Sequence, residues 1–419
     1  MDRPRRRTVA TLVAAGVLAS SCAPAQGEDL RSDAEHRPVP VGDAAALPDA
    51  VDATSRLGTA LLASGDASAN VVLSPASIAV ALAMLAEGAG GETAAALDDA
   101  LGASGQARSD AYNALQAAVG EHDGDPAVVQ EDELPERPVL HLANGIVIDE
   151  GREVEQDYLD AIARSFDAGM QRAELSDGSG KAVLDEWVNE HTGGLVPQSA
   201  VEPSEDHVLV LQNAVTLAAR WASTFAPDDT RDEPFTTGTG EQVDVPTMHQ
   251  TLDAAYTEAG DLQAVRLPYT EGFAMDVVLP PRGTAPAEVG AQEWSALDAE
   301  LSAGTGTQVE LSLPRVDVRS GTDLTEPLAA NGLASLFEGA ELSGIAEELA
   351  LSQVAHQATL AVDEDGTVAA AVTEAVGVTS APAPTESVEM VVDRPFALRI
   401  VHLDTGWPLF LGAINDPRS

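Results

Sequence analysis

The side chains of this chain that could do chemistry are eight histidines, a single cysteine and many carboxylates. A zinc protease would need two histidines one helical turn apart beside a glutamate, and no His-Glu-x-x-His sequence occurs. No Gly-x-Ser-x-Gly turn presents a serine nucleophile, and one cysteine cannot form a metal-binding pair. With 68 acidic residues, neighbouring carboxylates arise by chance. The sequence therefore predicts no catalytic residues, no metal site and no cofactor, and hence a protein that is not an enzyme.

A segment of another kind runs from Asp363 to Ala381, with the sequence DEDGTVAAAVTEAVGVTSA. Every second side chain from Thr367 to Thr379 is small. Successive side chains of a strand point to opposite faces, so this set could enter a packed layer without steric clash. The other set begins at Val368, where we expect substitutions to be milder. The same residues also fit an exposed Ala/Val-rich linker, and the segment alone does not separate the two interpretations.

The composition limits the classes of partner. The chain of 419 residues carries a formal net charge of −46, from 68 acidic and 22 basic residues. A surface of this charge repels nucleic acid and anionic membranes, so we expect neither as a partner. With 44% hydrophobic residues and dispersed glycine and proline, the chain is predicted to be globular with a sizeable core.

The N-terminus has the pattern of an export signal, which we predict for residues 1–21. Four arginines precede an apolar run, Val9–Ala19, that is too short to span a bilayer. A Leu-Ala-Ser-Ser-Cys sequence ending at Cys22 resembles a bacterial lipoprotein cleavage box, which would leave a lipid on Cys22 and attach the protein to a membrane. The Ala-Pro-Ala that follows offers an ordinary secretory cleavage site. Cleavage before Cys22 predicts a cell-surface lipoprotein, and cleavage after Ala25 predicts an extracellular protein. Residues 22–48, which are polar and rich in Asp and Pro, are predicted to form a flexible tether.

Helix and strand signals are interspersed along the rest of the chain without a strict alternation, which predicts an α+β class with large mixed or antiparallel sheets. Ser74 followed by Pro75 marks the start of a helix, because Ser is a favoured N-cap and Pro fits the first turn. His207–Ala219 is a nearly continuous apolar run and predicts a strand buried on both faces. The acidic, proline-bearing residues 121–138 predict a solvated loop.

The most specific signal is a set of ten sequence blocks that follow one another in a fixed order. They are NVVLSPASIAVALAMLAEGAGGET (70–93), LANGI (142–146), LDEWVNEHTGGLV (184–196), VLVLQNAVTLAARW (208–221), VPTM (245–248), LPY (267–269), LPRVDVRSGTDL (313–324), LF with LSGI (336–345), VAHQATLAVDEDGT (354–367), and RPF through LFLG (394–412). In this order they resemble the serpin family from about residue 50 to Pro417. Residues 49–419 are therefore predicted to form a single serpin domain.

The resemblance implies the serpin fold, with a large central mixed or antiparallel β-sheet A, additional sheets B and C, about eight or nine helices, and an exposed reactive-centre loop at about residues 366–390. It also implies a monomeric inhibitor of serine-type endopeptidases that acts as a suicide substrate. The protease cleaves the loop, the loop inserts into the central sheet, and the protease stays covalently trapped. The alternative is a non-inhibitory serpin that acts as a binding or carrier protein. Thr367 and the small residues after it favour inhibition.

The resemblance also assigns residues of the loop. By the family's usual spacing from Gly366, the reactive bond joins Ser380 and Ala381, with the bond between Thr379 and Ser380 as the second choice. The loop hinge would comprise Glu364, Gly366, Thr367, Val368, Ala369, Ala370 and Ala371. At Val368 the family often has an acidic residue, so the chain departs from the pattern there.

Two further groups of residues match positions that serpins use when the sheet opens. A polar cluster beneath the sheet, the shutter, would comprise Ser74, Ser77, Asn213 and His356. The region where insertion begins, the breach, would comprise Trp221, Arg315 and Glu364. Taken alone, Ser74 is also a helix N-cap, His356 also fits a hydrogen-bonded buried histidine, and Trp221 also fits an ordinary core residue. We expect Arg315 and Glu364 to form an ion pair.

We predict that the partners are elastase-like or subtilisin-like serine proteases. No Arg or Lys lies between Gly366 and Met390 to fill the acidic specificity pocket of a trypsin-like enzyme, and Gly377–Ser380 is small and uncharged. Mass spectrometry of the released C-terminal peptide should show that it begins at Ala381. Stable adducts with trypsin, and none with elastase or subtilisin, would contradict this prediction.

Overall fold

The computed structural model describes residues 27–131, 133–304, 306–367 and 387–418. These ranges contain eight α-helices and sixteen strands. The strands form two large sheets, and the helices pack against them, which confirms the α+β class. The helices are α1 (Leu47–Ala63), α2 (Pro75–Ala86), α3 (Gly91–Leu101), α4 (Gly105–Val119), α5 (Gln156–Phe166), α6 (Gly178–His191), α7 (Ala291–Ala303) and α8 (Thr325–Leu328). The strands are β1 (Glu28–Leu30), β2 (Val71–Leu73), β3 (Val139–Asp149), β4 (Met170–Ala173), β5 (Leu209–Arg220), β6 (Arg231–Thr236), β7 (Gln242–Ala259), β8 (Leu262–Pro268), β9 (Phe273–Leu279), β10 (Thr307–Pro314), β11 (Val316–Asp323), β12 (Gln353–Val362), β13 (Gly366–Thr367), β14 (Val388–Val391), β15 (Phe396–His402) and β16 (Trp407–Ile414).

The first sheet, sheet A, has the strand order β1-β4-β3-β5-β13-β12-β11. Strand β5 pairs antiparallel with β3, whereas β5 and β12 run parallel to each other. All residues of β5 except Arg220 are buried, so the strand predicted to be buried on both faces is confirmed. Odd-numbered residues of β5 face the main core, and we call this side of the sheet its inner face. Even-numbered residues face the opposite side, the outer face, where Val210 packs with Val183 and Leu184 of α6.

The second sheet joins the smaller sheets that the sequence led us to expect as separate B and C layers. Its main order is β14-β10-β7-β8-β9-β15-β16-β2, with β6 paired to β7. The long strand β7 connects the two parts, because its first residues pair with β6 and β10 and its last residues with β8. A strand of this length bends and serves both layers, so the boundary between them lies inside β7.

Helix α2 begins as the sequence predicts. The Ser74 hydroxyl accepts a hydrogen bond from the Ser77 backbone N–H at 3.2 Å, and Pro75 occupies the first helical position. Every residue of α2 is buried, because the helix lies against β3 and β5 on the inner face of sheet A. The N-terminal serines of α2 therefore lie directly beneath the sheet, among apolar neighbours.

Residues 28–43 differ from the flexible tether that composition suggests. Strand β1 pairs antiparallel with β4 and extends the edge of sheet A. Beyond it, the Arg37 N–H donates to the Arg164 carbonyl at 3.0 Å and the Val39 N–H to the Asn113 side chain at 2.6 Å. The open edge of β4 offers backbone partners that a composition argument does not see. Cys22 and the signal segment lie outside the described residues, among which no helix is long and apolar enough to span a membrane.

Residues 121–138 also differ from the solvated loop that their acidity predicts. Pro126–Gln130 forms a 3-10 helix, and the side chains of Val129 and Leu134 are buried. They pack with Ala218 of β5 on the outer face of sheet A. Three apolar side chains among the acidic ones, those of Val128, Val129 and Leu134, bring this segment onto the sheet, and no local sequence pattern predicts this contact.

Candidate functional site at the gap in sheet A

The site lies where β5 and β12 separate. Their parallel pairing runs from Val210 and Gln353 to Val215 and Ala358, and among the described residues it extends no further. At the far end the two-residue strand β13 lies between them. The intervening stretches of β5 and β12 face each other across a gap. Facing strand edges of this kind form a template for an additional strand.

The chain before the loop is already seated at the top of this gap. Gly366 pairs with Arg220, and Thr367 pairs with Ala219 on one side and with Val362 on the other. A Cβ on Gly366 would lie 2.0 Å from the Ala219 carbonyl oxygen, so only glycine fits in this position. The Thr367 side chain is fully buried. It points to the inner face, as the alternation of small residues predicts.

Tyr269, a residue that sequence reasoning missed, holds Thr367 from below. The two hydroxyl groups are hydrogen-bonded to each other. Burial raises the pKa of Tyr269, against the opposing effect of the bond to Thr367, so the phenol stays protonated. Its ring stacks on Trp221, with centroids 4.4 Å apart and planes inclined by 9°. The LPY block around Tyr269 was a signal of its importance, although nothing in the sequence connected it with Thr367.

A tight turn precedes the seated hinge. The Asp363 carboxylate accepts hydrogen bonds from the backbone N–H groups of Asp365, at 2.9 Å, and of Gly366, at 3.2 Å. The Asp363 N–H donates to the Gly366 carbonyl at 3.0 Å and closes the turn. Burial raises the pKa of Asp363 to about 6, although these two hydrogen bonds lower it, and the charges of Asp365 and Glu364 raise it further.

The structure brings the three predicted breach residues together around this turn. The Trp221 indole N–H donates to the Asp363 carbonyl at 2.9 Å. The Arg315 guanidinium donates two hydrogen bonds to one oxygen of Glu364, at 2.6 and 2.9 Å, as expected for an ion pair. Burial by itself would raise the pKa of Glu364, but the bonds from Arg315 and Thr230 outweigh it and hold the pKa below its usual value. Glu364 is thus an ionised anchor beside the hinge.

The predicted shutter residues also lie together, beneath the seam of β5 and β12. The Ser74 N–H donates to His356 Nε2 at 2.9 Å. Ser77 Oγ and Asn213 Nδ2 both donate to Asn144 Oδ1, at 3.0 and 2.7 Å. Asn144 on β3 is a further member that sequence reasoning missed, although it lies in the LANGI block. Its half-buried amide on a strand could have been noticed as an exception to an apolar pattern.

Some polar atoms at this seam have no partner in the described structure. On the inner face these are Asn213 Oδ1 and His356 Nδ1. Burial lowers the pKa of His356 to about 3, so its ring is neutral. Since Nε2 accepts a hydrogen bond, the proton lies on Nδ1, which is then a buried donor without an acceptor. Buried polar atoms in this state cost free energy that a suitable partner would recover.

The remaining predicted site residues, Val368–Ala371 and Thr379–Ala381, lie outside the described residues. Within the described part of the chain, no group of three or more His, Cys, Asp or Glu side chains could hold a metal ion. What the described residues show is a two-residue strand, β13, at the open end of a gap between β5 and β12.

Comparison with known proteins identifies the family. The family described as "Serpin (serine protease inhibitor)" matches residues 52–417, and the chain belongs to it. An uncharacterized serpin-like protein of Thermococcus kodakarensis is 30% identical over 358 residues, covering 84% of this chain and 81% of the relative. The leukocyte elastase inhibitor of Bos taurus is 30% identical over 370 residues, covering 83% and 93%.

Solved structures show the same fold. The thermophilic serpin tengpin in its native state superposes with a TM-score of 0.78 at 24% identity, covering 93% of this chain and 100% of tengpin. Thyroxine-binding globulin in complex with thyroxine superposes with a TM-score of 0.70 at 23% identity, covering 89% and 99%. The serpin fold assignment is therefore confirmed. Because that fold also occurs in a protein solved with a bound small molecule, fold alone does not establish inhibition.

We predict that Asp363→Asn stabilises the native chain at neutral pH. The variant keeps an oxygen acceptor for the two N–H groups but removes the titrating carboxyl. The pKa of Asp363 lies above its ordinary value of 3.8, so the protonated carboxyl group stabilises the folded chain fully below pH 4. This stabilisation is lost as the pH rises through about 6. At pH 7.5 the variant should be more stable by about 1–2 kcal/mol, because solvent screening reduces the full effect of the shift.

The measurement is thermal unfolding of both proteins between pH 4 and 7.5, with Asp317→Asn, at an exposed position of β11, as the control. The stability difference between Asp363→Asn and the wild type should shrink as the pH falls. A difference that stays constant over this range would contradict the assignment.

Proposed function

We propose that this serpin inhibits serine proteases as a suicide substrate. The observation that carries the proposal is the seated hinge: Gly366 and Thr367 already form a strand between β5 and β12, where the pairing of these strands ends. A protease would cleave the loop at Ser380–Ala381 and form an ester with Ser380. The freed segment would then continue from Thr367 into the gap.

The register of the seated residues predicts where later residues would lie. Thr373 follows Thr367 by six residues, Asn213 precedes Ala219 by six, and His356 precedes Val362 by six. If the register of the hinge continues, Thr373 would lie between Asn213 and His356, which are partners across the seam. Six residues is an even number, so the Thr373 side chain would share the inner face with Thr367.

The chemistry of that position supports the proposal. Within the described part of the chain, Asn213 Oδ1 is an acceptor without a donor, and His356 Nδ1–H is a donor without an acceptor. A hydroxyl group is both donor and acceptor, so Thr373 could satisfy both atoms at once. Insertion would thereby recover the cost of two unpaired buried atoms and add backbone hydrogen bonds on both sides of the new strand.

Trapping would follow from the length of the inserted strand. The fifteen residues from Gly366 to Ser380, at about 3.4 Å each, extend on the order of 50 Å. A protease carried over this distance by its ester bond would have its oxyanion hole distorted, and loss of a single donor there slows catalysis by roughly 100- to 1000-fold. We further propose that the protein acts as a monomer, outside the cell or lipid-anchored at the cell surface.

The direct test is incubation of the mature protein with elastase, subtilisin, chymotrypsin and trypsin, followed by denaturing electrophoresis. Inhibition by trapping predicts an adduct that resists SDS and has the mass of the protease plus the cleaved inhibitor. A non-inhibitory binding serpin predicts cleavage or no reaction, with no adduct for any of the four. The latter result would overturn the proposal.

We predict that Thr373→Val makes the protein more a substrate than an inhibitor, whereas Thr373→Ser retains inhibition. Valine has the shape of threonine but leaves Asn213 and His356 without a partner, at a cost of about 1–3 kcal/mol. Slower insertion lets ester hydrolysis compete, so more inhibitor molecules should be consumed per protease trapped. Equal consumption by the two variants would show that the hydroxyl group has no role.

A further inference from the structure

An apolar cluster on the outer face of sheet A lies beside the gap, on the side opposite the shutter. We call it the outer cap. It consists of the buried residues Val129, Leu134 and Ala218, with Val128, Val139 and Leu195 partly buried around them. Three of these side chains come from residues 121–138, between α4 and β3, and one follows α6. The outer cap thus unites separate parts of the chain over the upper end of β5.

Polar contacts attach the cap segment to its surroundings. The Arg220 guanidinium donates to the Leu134 carbonyl at 3.0 Å. The Gln130 side chain donates to the Gly193 carbonyl after α6, and Arg137 pairs with Glu271 at 3.0 Å. Asp125 caps the 3-10 helix through the Ala127 N–H at 2.9 Å. These contacts keep the segment on the sheet next to the hinge, where a Cβ on Gly366 would lie 2.7 Å from Leu134 Cδ1.

The register of the hinge determines which residue would meet this surface first. Thr367 is the last described residue before the loop, and it pairs with Ala219 and Val362. If this register continues, the next residue, Val368, would pair with Ala218 and Ala361. Thr367 faces inward, and its successor would therefore face outward, as Ala218 does. Because Leu134 and Val129 pack with Ala218, they would border the outward-facing position beside it.

We propose that the outer cap receives the side chain of Val368 when the loop inserts, and that this contact stabilises the first step of insertion. The proposal rests on the proposed function, because it requires loop insertion. It gives a physical reason for a valine at a position where the family often has an acidic residue. A carboxylate there would be desolvated against Leu134 and Val129, whereas a valine side chain leaves water for an apolar contact. Alternation alone predicts that substitutions at Val368 are milder than at Thr367, whereas the outer cap predicts a specific cost for a polar side chain at Val368.

The test is a double-mutant cycle on the intact chain and on the chain cleaved in its loop. A zinc protease makes the cut, because it forms no ester and leaves the inserted product free for study. Val368→Ala should lower the melting midpoint of the cleaved form by about 1–3 °C and leave the intact form unchanged. In a Leu134→Ala background the effect of Val368→Ala should fall by about half or more. Glu136→Ala, an exposed change in the same segment, is the matched control and should leave the effect at full size.

Each outcome has a distinct meaning. An effect of Val368→Ala that is equal in the Leu134→Ala and Glu136→Ala backgrounds would overturn the cap and leave the proposed function intact. Faster insertion in Leu134→Ala would show that the segment blocks the path, which also overturns the proposal. A cleaved form that melts no higher than the intact form would refute insertion and with it both proposals. If Leu134→Ala destabilises the intact chain, Val129→Ala replaces it in the cycle.

As a second readout, Val368→Asp should raise the number of inhibitor molecules consumed per trapped protease about threefold or more, because the carboxylate slows the first step of insertion. In the Leu134→Ala background this increase should be smaller, since the apolar neighbour is gone. An unchanged number for Val368→Asp would count against the cap, whereas the absence of any adduct with the wild type would count against inhibition itself.

Discussion

Pairing between β5 and β12 stops at Val215 and Ala358, and the two-residue strand β13 takes up the separation at the far end. Strands in a sheet need partners for their backbone N–H and C=O groups, and a gap inside a sheet is therefore a position of high free energy. The seated hinge relieves only its upper end. The turn at Asp363, the Arg315–Glu364 ion pair and the Tyr269–Thr367 contact each hold the chain at the point from which the gap could be filled.

The side chains on both faces of the seam between β5 and β12 are arranged around the gap between these strands. Beneath the sheet, one donor on His356 and one acceptor on Asn213 have no partner among the described residues. Above it, the apolar side chains of the outer cap pack on Ala218, next to the position that Val368 would occupy if the register of the hinge continued. The unpaired polar atoms of the shutter and the apolar side chains of the outer cap therefore lie on opposite faces of the path that the loop would take. Alternation of side chains along a strand allows one segment, from Thr367 onward, to match both.

Membership of the serpin family and the fold do not by themselves determine activity, since thyroxine-binding globulin shares the architecture. The features that separate inhibition from ligand binding are local. In this chain the proposal of inhibition rests on the small residues at alternate positions after Thr367 and on the end of the pairing between β5 and β12. The paired segments of β5 and β12, Val210–Val215 and Gln353–Ala358, contain no acidic or basic residue apart from the neutral His356.

Local sequence determined the elements whose signals are contained in a few neighbouring residues. Ser74 and Pro75 start α2 because capping involves only the first helical turn, and the apolar run of β5 predicts burial on both faces. The ordered blocks were specific enough to identify the family and to pick out Trp221, Arg315 and Glu364, which the structure brings together.

Only the tertiary structure decided the contacts between residues far apart in the chain. Tyr269 meets Thr367 across 98 positions, Asn144 joins the shutter from β3, and β1 finds the open edge of β4. The acidic composition of residues 121–138 predicted solvent exposure, yet Val129 and Leu134 pack on Ala218. Composition averages over a segment, whereas burial depends on whether a complementary surface lies within reach, and that surface exists only after β3, β5 and α6 have assembled.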